Sequence, residues 1–240
     1  ICPKRGALNP PEAKFCSQCG ANLVSRPGSY DDPNRSRFIL LPTGELIPKG
    51  TRYFADYELF FVQYGYAPLN WLQIGLGMTI FPFGGFENQF FTGGFKIALY
   101  RSNTYGFNLA TGLNVIYWKG LFFEENESYS LNTFYISGDI HTEKIVFGAV
   151  FNGTSTGGTN HGNSALWGGL GFAGKLSNRV QFMTEILGTD FFNEIDNSVI
   201  TYGFRIHGER ISGELAFLRT LRTSERMFLG VPLLNITIYF

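Results

Sequence analysis

From Arg37 to Phe240 the chain alternates large apolar side chains with small or polar ones at a period of two. In residues 71–81, Leu72, Ile74, Leu76, Met78 and Ile80 fall on one face, and Gln73, Gly75, Gly77 and Thr79 on the other. In 91–100, Phe91, Phe95, Ile97 and Leu99 oppose Thr92, Gly94, Lys96 and Ala98. The same pattern recurs in 107–117, 166–176 and 200–207. Strict alternation is the signature of a strand with two unlike faces. It predicts twelve strands, at about 37–43, 52–66, 71–81, 89–100, 106–119, 130–140, 145–153, 165–176, 179–189, 198–208, 211–221 and 231–240.

These segments, roughly 8–15 residues long, exceed the ~5–6 of ordinary sheets and suit the ~9–11 needed to cross a bilayer obliquely. Their connections alternate as well. Short ones fall at 67–70, 101–105, 141–144, 177–178 and 209–210, and longer ones at 82–88, 120–129, 154–164, 190–197 and 222–230. Short turns at one end and long loops at the other describe an up-and-down antiparallel barrel of an outer membrane, and an even strand count puts both termini on the short-turn, periplasmic side.

The chemistry of the two faces decides which one points inward. One face is rich in Leu, Ile, Val, Phe and Tyr. The other is rich in glycine and carries Asp56, Glu58, Lys96, Asp139, Lys175, Glu185, Arg205, His207 and Glu214. A soluble barrel would have to pack the first set inside, more Phe and Leu than an interior holds, with its glycines facing water. Inverted, the apolar face meets lipid and the nine ionisable residues line a lumen. About twelve strands enclose more cross-section than side chains alone fill easily, since barrels of ~8 are already packed. Water, a folded loop or the N-terminal segment is expected to occupy the remainder.

Composition agrees with this reading. The 240 residues include 25 Phe, 12 Tyr, 3 Trp and 30 Gly, and only 16% are charged, against about 25% in an average soluble domain. No run approaches the ~18 apolar residues of a membrane helix. Nineteen basic and nineteen acidic residues give a formal net charge of zero, which offers no electrostatic reason to expect a nucleic acid as partner.

The last strand sets Leu234, Ile236, Ile238 and Phe240 against Asn235, Thr237 and Tyr239. It resembles the terminal strand of bacterial outer-membrane proteins, which implies recognition of Phe240 by the barrel-assembly machinery. Leu41-Pro-Thr-Gly, Pro48-Lys-Gly, Tyr53-Phe and Tyr57-Glu-Leu-Phe-Phe resemble a group of uncharacterised outer-membrane barrels over most of 36–240, and that group brings no activity with it.

Composition shifts near residue 36. Residues 1–24 contain all three cysteines, 25–35 read as a linker of turn-forming residues, and 36–240 as the barrel. Around Cys2, Gly6, Cys16, Cys19 and Gly20 the chain resembles a bacterial zinc ribbon, whose paired Cys-x-x-Cys-Gly knuckles hold one Zn²⁺. Arg5 stands where the second cysteine belongs, and a permanently cationic guanidinium is no ligand. Cys2, Cys16 and Cys19 therefore make an incomplete zinc site. A disulfide of Cys16 with Cys19 or Cys2 is an alternative, and lipidation of Cys2 is a further one that Ile1 fits poorly.

His207 and Ser212 lack a third orienting group, so the expectation is not an enzyme. The expected function is a passive channel or small-solute pore with a mixed-charge lumen. The alternative is a scaffold barrel with a closed lumen that docks a periplasmic or outer-membrane protein through its N-terminal segment or loops.

Overall fold

The computed structural model describes residues 17–18, 32, 34–80, 89–102, 106–119, 128–157, 163–188, 198–208, 210–221 and 230–240. Among them there is no α-helix, and the strands close into one antiparallel barrel. In chain order these are β1 (Arg52–Tyr57), β2 (Phe61–Leu69), β3 (Leu72–Thr79), β4 (Phe90–Arg101), β5 (Phe107–Lys119), β6 (Ser128–His141), β7 (Ile145–Gly157), β8 (Ser164–Lys175), β9 (Val180–Gly188), β10 (Val199–His207), β11 (Ile211–Thr220) and β12 (Val231–Tyr239). Each pairs with its chain neighbour, and β1 closes the ring on β12. Arg52 and Phe240 exchange both backbone hydrogen bonds at that seam, each 3.0 Å.

The twelve-strand count is the expected one, but two of its members differ. The predicted strand at 37–43 is not part of the wall, and the predicted strand at 52–66 is two strands. Its hairpin turns on Glu58 and Leu59, both left-handed at φ 57° and 65°. Non-glycine residues seldom adopt that region, and no Gly, Asn or Pro marks the turn. The wall therefore begins at Arg52. Its height is uneven: β1 has six residues and β6 fourteen.

The expected faces hold along the other strands. Leu76, Phe134, Phe151, Leu170, Phe204, Leu215 and Ile236 lie on the outside and are exposed, whereas Lys96, Ser137, Asn152, Gln181, Thr201, Arg205, Ser212 and Thr237 lie inside and are buried. A bulge in β4 between Ala98 and Tyr100 turns Tyr100 outward against the simple alternation.

The main hydrophobic core is inside the lumen, where a segment N-terminal to β1 packs against inner-face residues of the wall. Phe38, Ile39 and Leu41 are its centre, packed with Tyr135, Val150, Ala173, Met183 and Ala216. Glycines of the inner face make the room. A Cβ at Gly171 would lie 2.5 Å from the Phe38 ring, one at Gly148 2.8 Å from it, and one at Gly169 2.6 Å from a Leu41 methyl.

Candidate functional site

Residues 34–47 enter and leave the barrel by its short-turn mouth. They fold back on themselves through an antiparallel bridge between Arg37 and Pro42, and the Phe38 N–H donates to the Leu41 carbonyl at 2.8 Å. The apolar pattern that imitates a strand here thus packs against the inner wall. Such a segment carries backbone donors and acceptors that a dry lumen would leave unpaired, and each buried one is costly. Inner-face side chains supply the partners.

Glu185 accepts the N–H groups of Ile39, Leu40 and Leu41 on one oxygen, at 2.9, 3.0 and 2.8 Å. Its other oxygen accepts the Thr201 hydroxyl at 2.6 Å. Arg205 donates to the carbonyls of Phe38 at 2.6 Å, Arg37 at 3.2 Å and Asn34 at 3.3 Å, and to the Asp32 carboxylate at 2.6 Å. Lys96 donates to the carbonyls of Ser36 at 2.8 Å and Glu45 at 2.6 Å. Asp139 accepts the N–H groups of Gly44 and, at 3.2 Å, Glu45, and Ser137 donates to the Thr43 carbonyl at 2.6 Å. Glu214 pairs with both Arg205 and Arg37.

At the mouth, Asn34 binds Ser212 at 2.6 Å and accepts the Tyr239 hydroxyl. Glu45 forms ion pairs with Arg35 and Arg101, each at 3.2 Å, and His141 stands 2.8 Å from Asp139. Burial alone would raise the Asp32 carboxyl, but the Arg205 guanidinium and His207 outweigh it and hold it below the ordinary carboxylate value. Burial would likewise lower Arg37, and Glu214 more than compensates, so its charge is fixed.

Of the nine residues expected to line the lumen, Lys96, Asp139, Glu185, Arg205, His207 and Glu214 are buried on the inner face around this segment. Lys175 ends β8 at the mouth and is exposed. Asp56 and Glu58 are elsewhere. Asp56 alternates with the inward Tyr53, Ala55 and Tyr57, shares the outer face with Phe54, and borders an outer recess with Gly213 and Ile236. Glu58 sits in the turn and accepts the Leu234 N–H at 2.6 Å. The expectation of lumen positions for both fails because it lets charge alone decide the face, whereas Asp56 shares its parity with the outward Phe54 and Glu58 belongs to no strand. Cys2, Cys16 and Cys19 lie outside the described residues, as does the linker up to 31.

Sequence reasoning missed Asn34, Arg37, Thr43 and Glu45, which belong to the inserted segment, and His141. Thr201, Ser137 and Asn108 were visible only as polar members of the inner face. No protein-family model matches the chain, and no curated protein is similar to it.

Proposed function

We propose that this chain is an outer-membrane barrel that closes its own lumen with residues 34–47 and so anchors the chain N-terminal to Asn34 at the short-turn, periplasmic face. One observation carries this reading. The buried lumen charges spend their hydrogen bonds on the backbone of the inserted segment, so they build a closure, and little of their charge is left to select ions. The exposed belt of Leu76, Phe95, Phe134, Phe151, Leu170 and Ile236 supports lipid as the surrounding medium. The exposed outer face of the last strand, with Leu234, Ile236, Ile238 and Phe240, supports recognition by the assembly machinery. The anchored cysteine segment, with or without Zn²⁺ at Cys2, Cys16 and Cys19, is the part offered to a periplasmic or outer-membrane protein. No catalytic role is assigned.

The second reading is a channel that opens when the segment leaves. It is favoured because the segment is no strand of the wall: it is held in the lumen by hydrogen bonds and ion pairs and is covalently tied to the wall only through residues 48–51. Planar-bilayer conductance separates the two. Under the closed reading the full chain gives no steady current, and Gly44→Val, whose Cβ would lie 2.4 Å from the Asn108 carbonyl oxygen, expels the segment and yields openings. Steady openings of the unaltered chain, equal to those of Gly44→Val, would overturn the closed reading and restore the pore.

A further inference from the structure

On the long-loop side of the inserted segment the lumen widens into a cavity of about 440 Å³, within the ~300–1,000 Å³ of small-molecule sites. Its floor is the tip of the segment, where Leu40 remains 48% exposed although it lies inside the barrel. One side is the Tyr57–Phe61 ring pair at the low β1–β2 rim, with centroids 5.7 Å apart. The middle of the wall is glycine with amides laid against it. A Cβ at Gly75 would stand 3.2 Å from Gln63 Nε2, and a Cβ at Gly94 2.2 Å from Asn114 Oδ1. Gln63 accepts the Tyr57 hydroxyl at 3.2 Å through Oε1, which leaves its Nε2 hydrogens for a guest.

Above this, toward the long loops, Phe90, Trp118 and Tyr129 stand in register on the inner faces of β4, β5 and β6. Adjacent centroids are 5.7 Å apart, and the Trp118 and Tyr129 rings are stacked at 17°. The two cations that border the cavity are already engaged. Lys96 is bonded to two carbonyls, and Arg37 is paired with Glu214 and lies 5.2 Å over the Tyr57 ring.

We propose that this cup binds a neutral saccharide. The Tyr57 and Phe61 rings that line the cup, continued toward the long loops by the Phe90, Trp118 and Tyr129 ladder, offer aromatic surface to the apolar C–H faces of sugar rings, and the amides of Gln63 and Asn114 meet their hydroxyls. The absence of an unengaged charge among the described lining residues disfavours an ionic guest. The inference rests on the closed reading only in that the inserted segment is the floor, and the conductance experiment tests that floor independently of any ligand.

The test is calorimetric titration of the full chain with maltotriose, cellotriose and chitotriose in a sugar-free N-oxide detergent, alongside tryptophan fluorescence. The expected result is saturable binding of at least one trisaccharide, with the same affinity from about 0.05 to 0.5 M NaCl because no ion pair is formed. Trp118→Leu abolishes the fluorescence response while Trp71→Phe, at an exposed short turn, retains it. Gln63→Ala with Asn114→Ala weakens binding by about tenfold or more, equivalent to ~1.4 kcal/mol. Leu40→Arg, at the exposed tip of the floor, blocks the cup without altering the wall, and heat-modifiable gel mobility shows that each variant is folded. No saturable binding of any of the three sugars overturns the proposal. So does binding that survives both Leu40→Arg and the double amide variant, or binding of glucuronate alone that fades with salt.

Discussion

The Glu185 carboxylate on β9 and the Leu41 N–H in the inserted segment are hydrogen-bonded at 2.8 Å across a sequence separation of 144 residues. Ile39 and Leu40 donate to the same group, so one side chain does for this turn what a neighbouring strand does for a wall segment. The inserted segment is held in the lumen by side-chain-to-backbone bonds of this kind, which explains how an apolar stretch with a strand-like pattern can sit inside a barrel.

Replacing Glu185 by Ala leaves the buried Ile39 and Leu41 N–H groups and the part-buried Leu40 N–H without their acceptor, at a cost of about 1–3 kcal/mol or more. The expected outcome is a lower unfolding midpoint in urea and new tryptic cleavage at Arg35 and Arg37 of the folded barrel. Glu185→Gln, which keeps one acceptor oxygen, falls between the two.

Asp32 gives the closure a dependence on pH. Its carboxyl is held below the ordinary value near 3.9, so its contribution is complete above the normal carboxylate range and is lost as pH falls through the depressed value. Protease access to Arg35 should therefore rise on acidification below about pH 4. In Asp32→Asn this component is absent, and access is raised already at neutral pH.

Gly171 and Gly174 lie on opposite faces of β8 and should respond differently to the same change. Gly171→Val drives a methyl into the Phe38 ring, 2.5 Å from its new Cβ, whereas at Gly174 the nearest neighbour is the Phe172 ring at 3.4 Å. Overpacking costs about 1–3 kcal/mol, so the first variant loosens the closure and loses stability while the second stays near the parent. Equilibrium unfolding of the two, in the same detergent, checks the assignment of faces.

Leu59 holds a left-handed conformation at φ 65°, which costs a non-glycine residue about 1–2 kcal/mol. Leu59→Gly is expected to raise stability by about 1 kcal/mol or less, because glycine also gains freedom in the unfolded chain. Thermal unfolding measures it. Loss of stability would mean that the exposed Leu59 side chain is itself held by the surrounding medium.

Outer-face residues test the membrane setting. Leu76→Arg, at a position 66% exposed on the belt, should cost about 2–4 kcal/mol if it lies near the bilayer midplane. Asp56→Leu should change stability in the opposite direction and by less, since carboxylates on the lipid face cost less than basic groups. Folding equilibria in lipid vesicles give both values, and a neutral Leu76→Arg would argue against lipid contact at that belt.

Legibility in the sequence followed the range of the forces involved. Period-two alternation is local, so the faces of β3–β6 and β8–β12 could be read directly, with Lys96, Asp139, Glu185, Arg205, His207 and Glu214 on the polar side. The β1–β2 hairpin could not, because its turn uses Glu58 and Leu59, which carry no turn signal. Asp56 is on the outer face with Phe54, where the rule that charges face the lumen fails, and Tyr100 escapes its face through a bulge that leaves no trace in the pattern.

By itself, then, the sequence determined an all-β chain of twelve strands with an apolar outer face and a small, polar inner one, because side-chain direction along a strand depends only on position. Whether Phe38, Ile39 and Leu41 formed a strand of that wall or its filling was decided by the tertiary structure. Their pattern suits either place, and the difference lies in Glu185 and Arg205, which satisfy their backbone, in Lys96 and Asp139, which hold Ser36, Gly44 and Glu45 on either side of them, and in Gly148, Gly169 and Gly171, which make room for their side chains. Those partners are distant in sequence and meet the segment only when the ring has closed.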